Sequence, residues 1–376
     1  MNVVFTCGGT GGHINPALAV ANIWQERHPA DKILFIGGIG GMEEELVPKA
    51  GYELIALPAF GMVRGRSLQA LMKNARTAVA VQRAISKCKK ILTEFHADIV
   101  MGTGGYASFP ALMAASKLKI PTCVHESNAM PGLTTRMIAD HVDRVLVCFP
   151  ESKQYYKHPD KVEVVGMPVR REFIYAERET CRKELKLDQR PLIVSAFGSQ
   201  GAKAMNEVIG RMFRLEQDQN YPYQHIHAVG SYGWSWMPDY VQEQGVNLEN
   251  NTAVRMEEYL YNMPQVMAAA DVMIGRAGAS TCNEIAAAGI PCILIPSPNV
   301  TDNHQEKNAR ALEKNGAAIV VLEKDCTAGG LLKIIQELLE DSERCRAMRK
   351  ALQEMSVPDS ADRLCRIMEN MTCYKS

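Results

Sequence analysis

The stretch Val3-Val4-Phe5-Thr6-Cys7-Gly8-Gly9-Thr10-Gly11-Gly12-His13 decides the fold. An apolar run this short, bounded by glycines, reads as a strand buried on both faces. The glycines lead into a helical pattern through Leu18, Ala21 and Ile23. Strand, glycine turn and helix open a doubly wound α/β unit, with the turn at the strand end where such sheets bind ligands. The same order returns at Leu192–Ala196, where Phe197-Gly198-Ser199-Gln200-Gly201-Ala202 leads into another helix. Two related Rossmann-like units are therefore expected.

Short apolar runs continue the theme. The first half predicts strands at Val3–Cys7, Ile33–Ile36, Glu53–Leu57, Asp98–Met101, Pro121–His125, Arg144–Cys148 and Val162–Val165. The second half predicts them at Leu192–Ala196, His225–Val229, Thr252–Arg255, Asp271–Gly275, Cys292–Ile295 and Ala317–Val321. Helical patterns between continuous apolar strands mean parallel sheets covered on both faces. The expected division is a first Rossmann-like domain over 1–166, a linker over 167–190, a second over 191–355, and a C-terminal helix over 356–376 that packs back on the first domain. Two such domains leave a cleft, a common place for a small-molecule site.

Composition narrows the class. The 376 residues carry 42 Lys+Arg against 42 Asp+Glu, so binding nucleic acid through bulk positive charge is not expected. Eleven cysteines form no CxxC pair, which excludes zinc ribbons and thioredoxin-like sites and fits a reducing compartment. The N-terminus lacks a basic region and a cleavable apolar core, so no signal peptide is expected. The longest apolar stretch, Ile285 to Pro296, is far short of the roughly 20 residues a membrane helix needs.

Several strand ends carry polar or glycine-rich chemistry. The first turn, Gly8 to His13, suits close approach of a phosphate or sugar to backbone and helix N-terminus. It lacks the third glycine of the dinucleotide fingerprint and the Gly-Lys-Ser/Thr of a P-loop. His13 at its mouth is a general-base candidate; a tight turn is the plain alternative. Gly102-Thr103-Gly104-Gly105-Tyr106 and His125-Glu126-Ser127-Asn128 mark two further strand ends, which suggests one acceptor pocket. Otherwise His125 and Glu126 simply cap a helix and pair with each other. In the second half, Arg276 sits where a pyrophosphate could be met. Ser280 and Thr281 can donate to an anion, and Glu284 can accept two vicinal ribose hydroxyls. The plain alternative is a capping box between Ser280 or Thr281 and Glu284. Gln305 and Asn308 share one helical face and suit sugar hydroxyls, or else belong to an ordinary helix start. No Asp-x-Asp occurs, so a carboxylate-held metal for a nucleotide diphosphate has no candidate.

Between Phe60 and Lys90 the chain holds Arg64, Arg66, Lys73, Arg76, Arg83, Lys87, Lys89 and Lys90 and no acidic residue. Met62, Leu68, Leu71, Met72, Val79, Val81 and Ile85 are interleaved. A basic, amphipathic surface of this kind suits an anionic bilayer. A solvated helix whose apolar face is core is the alternative.

Taken together these motifs resemble the MurG family of glycosyltransferases, over nearly the whole chain. The resemblance rests on the GGTGGH loop, GTGGY, the His125-Glu126-Ser127-Asn128 strand end with Gly132, the Gly166-Met167-Pro168-Val169-Arg170 hinge, the GSQGA loop, the segment Arg276–Gly289 and the helix around Gln305. It implies the two-domain GT-B architecture and an inverting, metal-free hexosyltransferase without cofactor. The implied reaction moves N-acetylglucosamine from UDP-GlcNAc to the 4-hydroxyl of the muramyl sugar of lipid I, giving lipid II for peptidoglycan. The implied donor residues are Thr10, Gly11, Gly12, Asn128, Arg170, Ser199, Leu260, Arg276, Ala279, Ser280, Thr281, Glu284 and Gln305. Within that set, Leu260 would read the uracil through its backbone, Glu284 would take the ribose, and Gln305 the sugar hydroxyls. His13 would be the base, with Gly104, Gly105, Tyr106, His125 and Glu126 on the acceptor side. The implied location is peripheral, on the cytoplasmic face of the bacterial inner membrane, with anionic lipids and the cell-wall and division machinery as partners. Two positions depart from the family: Met167 stands where Asn is usual, and His304 where Gln is frequent.

Three other readings compete. A UDP-GlcNAc 2-epimerase or a diacylglycerol glycosyltransferase shares the architecture, but the epimerase leaves the basic stretch unexplained. A non-catalytic nucleotide-sugar binder would have no use for His13 and Asn128.

Overall fold

Every strand expected from the sequence forms. The computed structural model describes residues 1–9, 11–58, 68–249, 251–300 and 303–373, and for 68–76 and 373 the backbone alone. Two units result: Met1–Val169 joined by Val357–Ser376, and Arg170–Ser356.

The first unit is a parallel sheet of β1 (Asn2–Thr6), β2 (Lys32–Gly38), β3 (Glu53–Leu57), β4 (Ile99–Gly102), β5 (Thr122–Glu126), β6 (Arg144–Val147) and β7 (Val162–Val164). Their spatial order is β3-β2-β1-β4-β5-β6-β7. The helices are α1 (Gly11–Arg27), α2 (Glu43–Lys49), α3 (Leu68–Glu94), α4 (Ser108–Leu118) and α5 (Leu133–Ile138). Alternation along β1 sends Val3 and Phe5 to one face and Val4 to the other. The first face packs Ile14, Ala17 and Trp24 of α1; the second packs Leu112 of α4 and Ile85, Cys88 and Leu92 of α3.

The second unit orders its strands β10-β9-β8-β11-β12-β13. They are β8 (Leu192–Ala196), β9 (Gln224–Ala228), β10 (Val254–Glu257), β11 (Val272–Gly275), β12 (Cys292–Leu294) and β13 (Ile319–Val320). Around them lie α6 (Glu172–Tyr175), α7 (Arg178–Glu184), α8 (Lys203–Asp218), α9 (Met237–Glu243), α10 (Met263–Ala269), α11 (Ala279–Ala288), α12 (His304–Lys314), α13 (Ala328–Glu340) and α14 (Ser342–Met355).

The chain's last helix, α15 (Ser360–Cys373), lies in the first unit against α1. Leu364, Cys365 and Met368 are fully buried in the α1 face of the core. Arg27 bonds Asp362 and Glu369, and the His28 imidazole Nε2 lies 2.8 Å from Glu369. Burial of these apolar side chains dominates that contact, because exposed ion pairs contribute little.

The expected linker over 167–190 needs correction. From Arg170 onward it belongs to the second unit, and α6 and α7 pack on α10. Arg178 bonds the Ala270 carbonyl and Asp271, and Arg182 the Ala269 carbonyl, so polar anchors hold the stretch expected to be a linker.

The basic stretch divides. Arg64 and Arg66 lie outside the described residues, as do the side chains of Lys73 and Arg76. Arg83 and Lys87, one turn apart on α3, are both exposed. Ile85 is core and Val81 packs against it, so these two do not belong to a lipid-facing surface. Among the described residues, no helix is long and apolar enough to cross a membrane.

Candidate active site

In each sheet the strand order reverses beside the first strand of the unit, between β1 and β4 and between β8 and β11. Loops leaving adjacent strands there diverge and open a crevice. The loops after β1 and β4, and those after β8 and β11, hold His13, Gly104, Gly105, Tyr106, Ser199, Arg276 and the start of α11; Glu126, Asn128, Leu260 and Gln305 lie at the ends of other strands.

In the first unit the loops after β1 and β4 interlock. The Thr103 hydroxyl donates to the His13 carbonyl at 2.6 Å, and His13 Nδ1 lies 3.0 Å from the Thr103 carbonyl. A carbonyl only accepts, so Nδ1 carries the proton and Nε2 the lone pair of the neutral ring. A Cβ on Gly104 would sit 2.8 Å from that Nδ1, and one on Gly105 would overlap the Gly8 carbonyl. Both glycines also hold φ near +90° (97° and 81°), so side chains are excluded by conformation and by space. Gly11 and Gly12 open α1; Thr10 lies outside the described residues. Tyr106 is exposed, its ring beside Gly9.

Glu126, at the end of β5, organises the next loop. Its Oε1 accepts from the Asn128 N–H and side-chain amide, and its Oε2 from the Gly132 N–H at the start of α5. His125 points the other way, donating from Nε2 to the Gly166 carbonyl at 2.9 Å. Burial lowers its pKa. The two do not pair with each other, because adjacent strand residues face opposite sides of a sheet. Met167 lies beside this point, its sulfur 3.7 Å from Cys148.

In the second unit the capping-box reading fails. The N-cap of α11 is Gly278, and no side chain caps the helix. The helix begins at Ala279, so Glu284 stands in its second turn rather than in a capping box. The first amides of α11 thus remain for a ligand, and the partial positive charge of the helix end favours an anion. Ser280 Oγ is buried there without a hydrogen-bond partner. Burial pushes the Glu284 carboxyl up to about 7, opposed by the nearby Arg170 guanidinium. Arg170 itself stacks over Phe173.

Arg276 is not turned to an open position. Its guanidinium pairs with Glu323 at 2.5 Å, donates to the Ile295 carbonyl and covers the Phe197 ring. Asn308 is likewise committed, its amide donating to the Ala277 carbonyl. Gln305 accepts from the Ser297 N–H through its carbonyl oxygen, which leaves the amide NH2 for a ligand. Ser199 is exposed in the turn after β8. Leu260 is buried, flanked by the exposed Tyr259 and Tyr261, whose rings stack edge to face.

Sequence reading missed two groups. One is Glu43, buried under the first glycine turn. The other is a buried chain in which Glu216 meets His225, and both His225 and His227 meet Ser195. Three consecutive glutamates, Glu43 to Glu45, carry no sequence sign that the first of them is buried. The two histidines alternate along β9, and only the fold shows that Ser195 joins them.

Residues 3–147 match the glycosyltransferase family 28 N-terminal domain and residues 192–364 its C-terminal domain. The chain is 40% identical over 373 residues to the UDP-N-acetylglucosamine--N-acetylmuramyl-(pentapeptide) pyrophosphoryl-undecaprenol N-acetylglucosamine transferase of Thermoanaerobacter sp. strain X514, covering 99% of this chain and 100% of that protein. It is 38% identical to the protein of that name from Acetivibrio thermocellus, with both chains fully covered. The crystal structure of MurG from Acinetobacter baumannii superposes with a TM-score of 0.75 at 25% identity, over 98% of this chain and 99% of that one. A UDP-GlcNAc 2-epimerase from Neisseria meningitidis bound to UDP-GlcNAc reaches 0.68 at 15% identity over the full length of both chains, a likeness of fold alone. On kinship that spans its whole length, the chain belongs to the glycosyltransferase family 28 N-acetylglucosamine transferases, the MurG family.

Proposed function

We propose that the chain transfers N-acetylglucosamine from UDP-GlcNAc to the 4-hydroxyl of the muramyl sugar of lipid I, giving lipid II and UDP. Full-length kinship with transferases of that name carries the reading. The second unit would take the donor. The uncapped start of α11, with Ala279, Ser280 and Thr281, would meet the diphosphate, assisted by Ser199 and Arg170. Glu284 would accept the ribose hydroxyls and Gln305 would meet the sugar, with the Leu260 backbone against the uracil. Departing UDP gains negative charge, and helix-end amides fixed in advance stabilise it without reorganising. Arg276 acts by holding its loop through Glu323.

The first unit would take the acceptor. His13 Nε2 would remove the 4-hydroxyl proton as oxygen attacks the anomeric carbon and the bond to UDP breaks. A neutral imidazole with its Nε2 lone pair outward can act as such a base. Gly11 and Gly12 at the start of α1, with Thr10, would lie near the diphosphates, and Asn128 would reach the donor. Gly104, Gly105, Tyr106, His125 and Glu126 shape the acceptor side, the last two by holding the loops around them. Arg83 and Lys87, with the basic residues preceding them, would meet anionic lipid on the cytoplasmic face of the inner membrane, where lipid I and the cell-wall and division machinery reside.

UDP release in the presence of UDP-GlcNAc and a soluble lipid I analogue tests the reading. Release that requires the analogue supports it. Conversion of UDP-GlcNAc alone to its 2-epimer, or tight UDP binding with no turnover, contradicts it.

A further inference from the structure

The first glycine turn rests on a fully buried carboxylate, Glu43, at the start of α2. Its Oε1 accepts from the Gly38 N–H at 2.7 Å, and its Oε2 from the Gly9 N–H at 3.2 Å. One side chain thus ties the turn after β1 to the turn after β2. The glycines around it are shaped to its presence. A Cβ on Gly37 would lie 2.6 Å from Glu43 Cγ, and one on Gly8 2.9 Å from Oε1 and 2.7 Å from Ala107. Neither residue has positive φ. Close approach, not backbone conformation, explains why these two positions are glycine.

A carboxylate is the one side chain here that accepts at both ends. Glutamine accepts at only one and would set its NH2 against the other N–H. A buried charge held by two amides is also costly, and well-packed apolar residues commonly stabilise a fold more. The Gly9 N–H points inward to this carboxylate, so it does not serve a ligand. On the opposite side the turn is held by Gly105 and by the Thr103–His13 pair.

We infer that Glu43 is a positioning residue for the transfer reaction: it fixes Gly8 and Gly9 so that His13, at the start of α1, meets Thr103 in register. This rests on the proposed role of His13 as base.

The test compares the parent with Glu43→Gln and Gly37→Ala, the second displacing the carboxylate without removing it. Five quantities are read: steady-state kcat and KM with UDP-GlcNAc and a lipid I analogue, UDP affinity, thermal midpoint, and hydrogen exchange of the Gly9 amide. Misplacing a base by about 1 Å is expected to lower kcat by on the order of a hundredfold. UDP affinity should stay within about twofold in both variants, with the melting transition still cooperative and Gly9 exchanging faster. The assignment is overturned if Glu43→Gln turns over normally while Gly9 loses protection. It is equally overturned if kcat falls only together with UDP binding and the cooperative transition. A parent chain without transfer contradicts the proposed function itself, and with it this role.

Discussion

His13 and Thr103 bond each other twice, ring to carbonyl and hydroxyl to carbonyl, across the loops that leave β1 and β4. The pair fixes both the position of the imidazole and its tautomer. His13→Ala is expected to lower turnover by about a hundred- to ten-thousandfold. Thr103→Val removes the hydroxyl bond but leaves the carbonyl, so its loss should be smaller. UDP affinity, measured by calorimetry, should be unchanged in both. Near-normal turnover of His13→Ala would place the base elsewhere.

If Glu284 takes the donor ribose as proposed, donor binding should depend on pH. Burial pushes its carboxyl up to about 7, whereas a carboxylate accepting ribose hydroxyls must be ionised. Binding therefore releases a proton at pH 6, and affinity should rise from pH 5.5 to 8. UDP itself titrates in this range, so the informative quantity is the difference between the parent and Glu284→Gln. That variant should bind more weakly, by about 1.5–3 kcal/mol at pH 8, and the gap should narrow toward pH 5.5. A gap that stays constant with pH would contradict the assignment.

His227 should weaken the second unit in acid. Burial, with His225 beside it, drops its pKa from 6.5 to about 3. Above pH 6.5 the ring is neutral in both the folded and unfolded chain, so its contribution does not vary. As pH falls from about 6.5 to 3, only the unfolded chain takes up the proton, and stability falls by at most about 1.4 kcal/mol per pH unit. Urea unfolding from pH 7 to 4 should show a shallower slope in His227→Asn than in the parent. An unchanged slope would mean that the ring is not the source.

The sheets were readable because parallel strands are continuous apolar runs and glycine turns mark their ends. Loops at strand ends were readable for the same reason, which is why Glu284 and His13 stand out. What escaped was side-chain direction. Arg276 looked like an anion ligand, yet its partner Glu323 lies 47 positions further on, and sequence spacing carries no trace of that pairing. Ser280 looked like a cap, but backbone geometry gives the cap to Gly278. The stretch 167–190 looked like a linker because a charged helical stretch separates the last strand of the first unit from the next strand at Pro191, and only the carbonyls at the end of α10 reveal what its arginines hold.

Arg83 and Lys87 give the membrane proposal its test among the described residues. The double change to Glu should reduce flotation with vesicles containing phosphatidylglycerol or cardiolipin, and the parent's binding should weaken as salt rises. Both side chains are exposed, so UDP affinity and melting should not move. Equal flotation of variant and parent would remove this face of α3 from the contact.

The central claim is inverting transfer to one hydroxyl, and the product carries the answer. Parent protein, UDP-GlcNAc and a lipid I analogue should yield a disaccharide whose new bond, read by proton NMR, is β and joins C1 of N-acetylglucosamine to O4 of the muramyl sugar. An α bond, a bond to another hydroxyl, or an unaltered acceptor beside consumed UDP-GlcNAc would contradict the account.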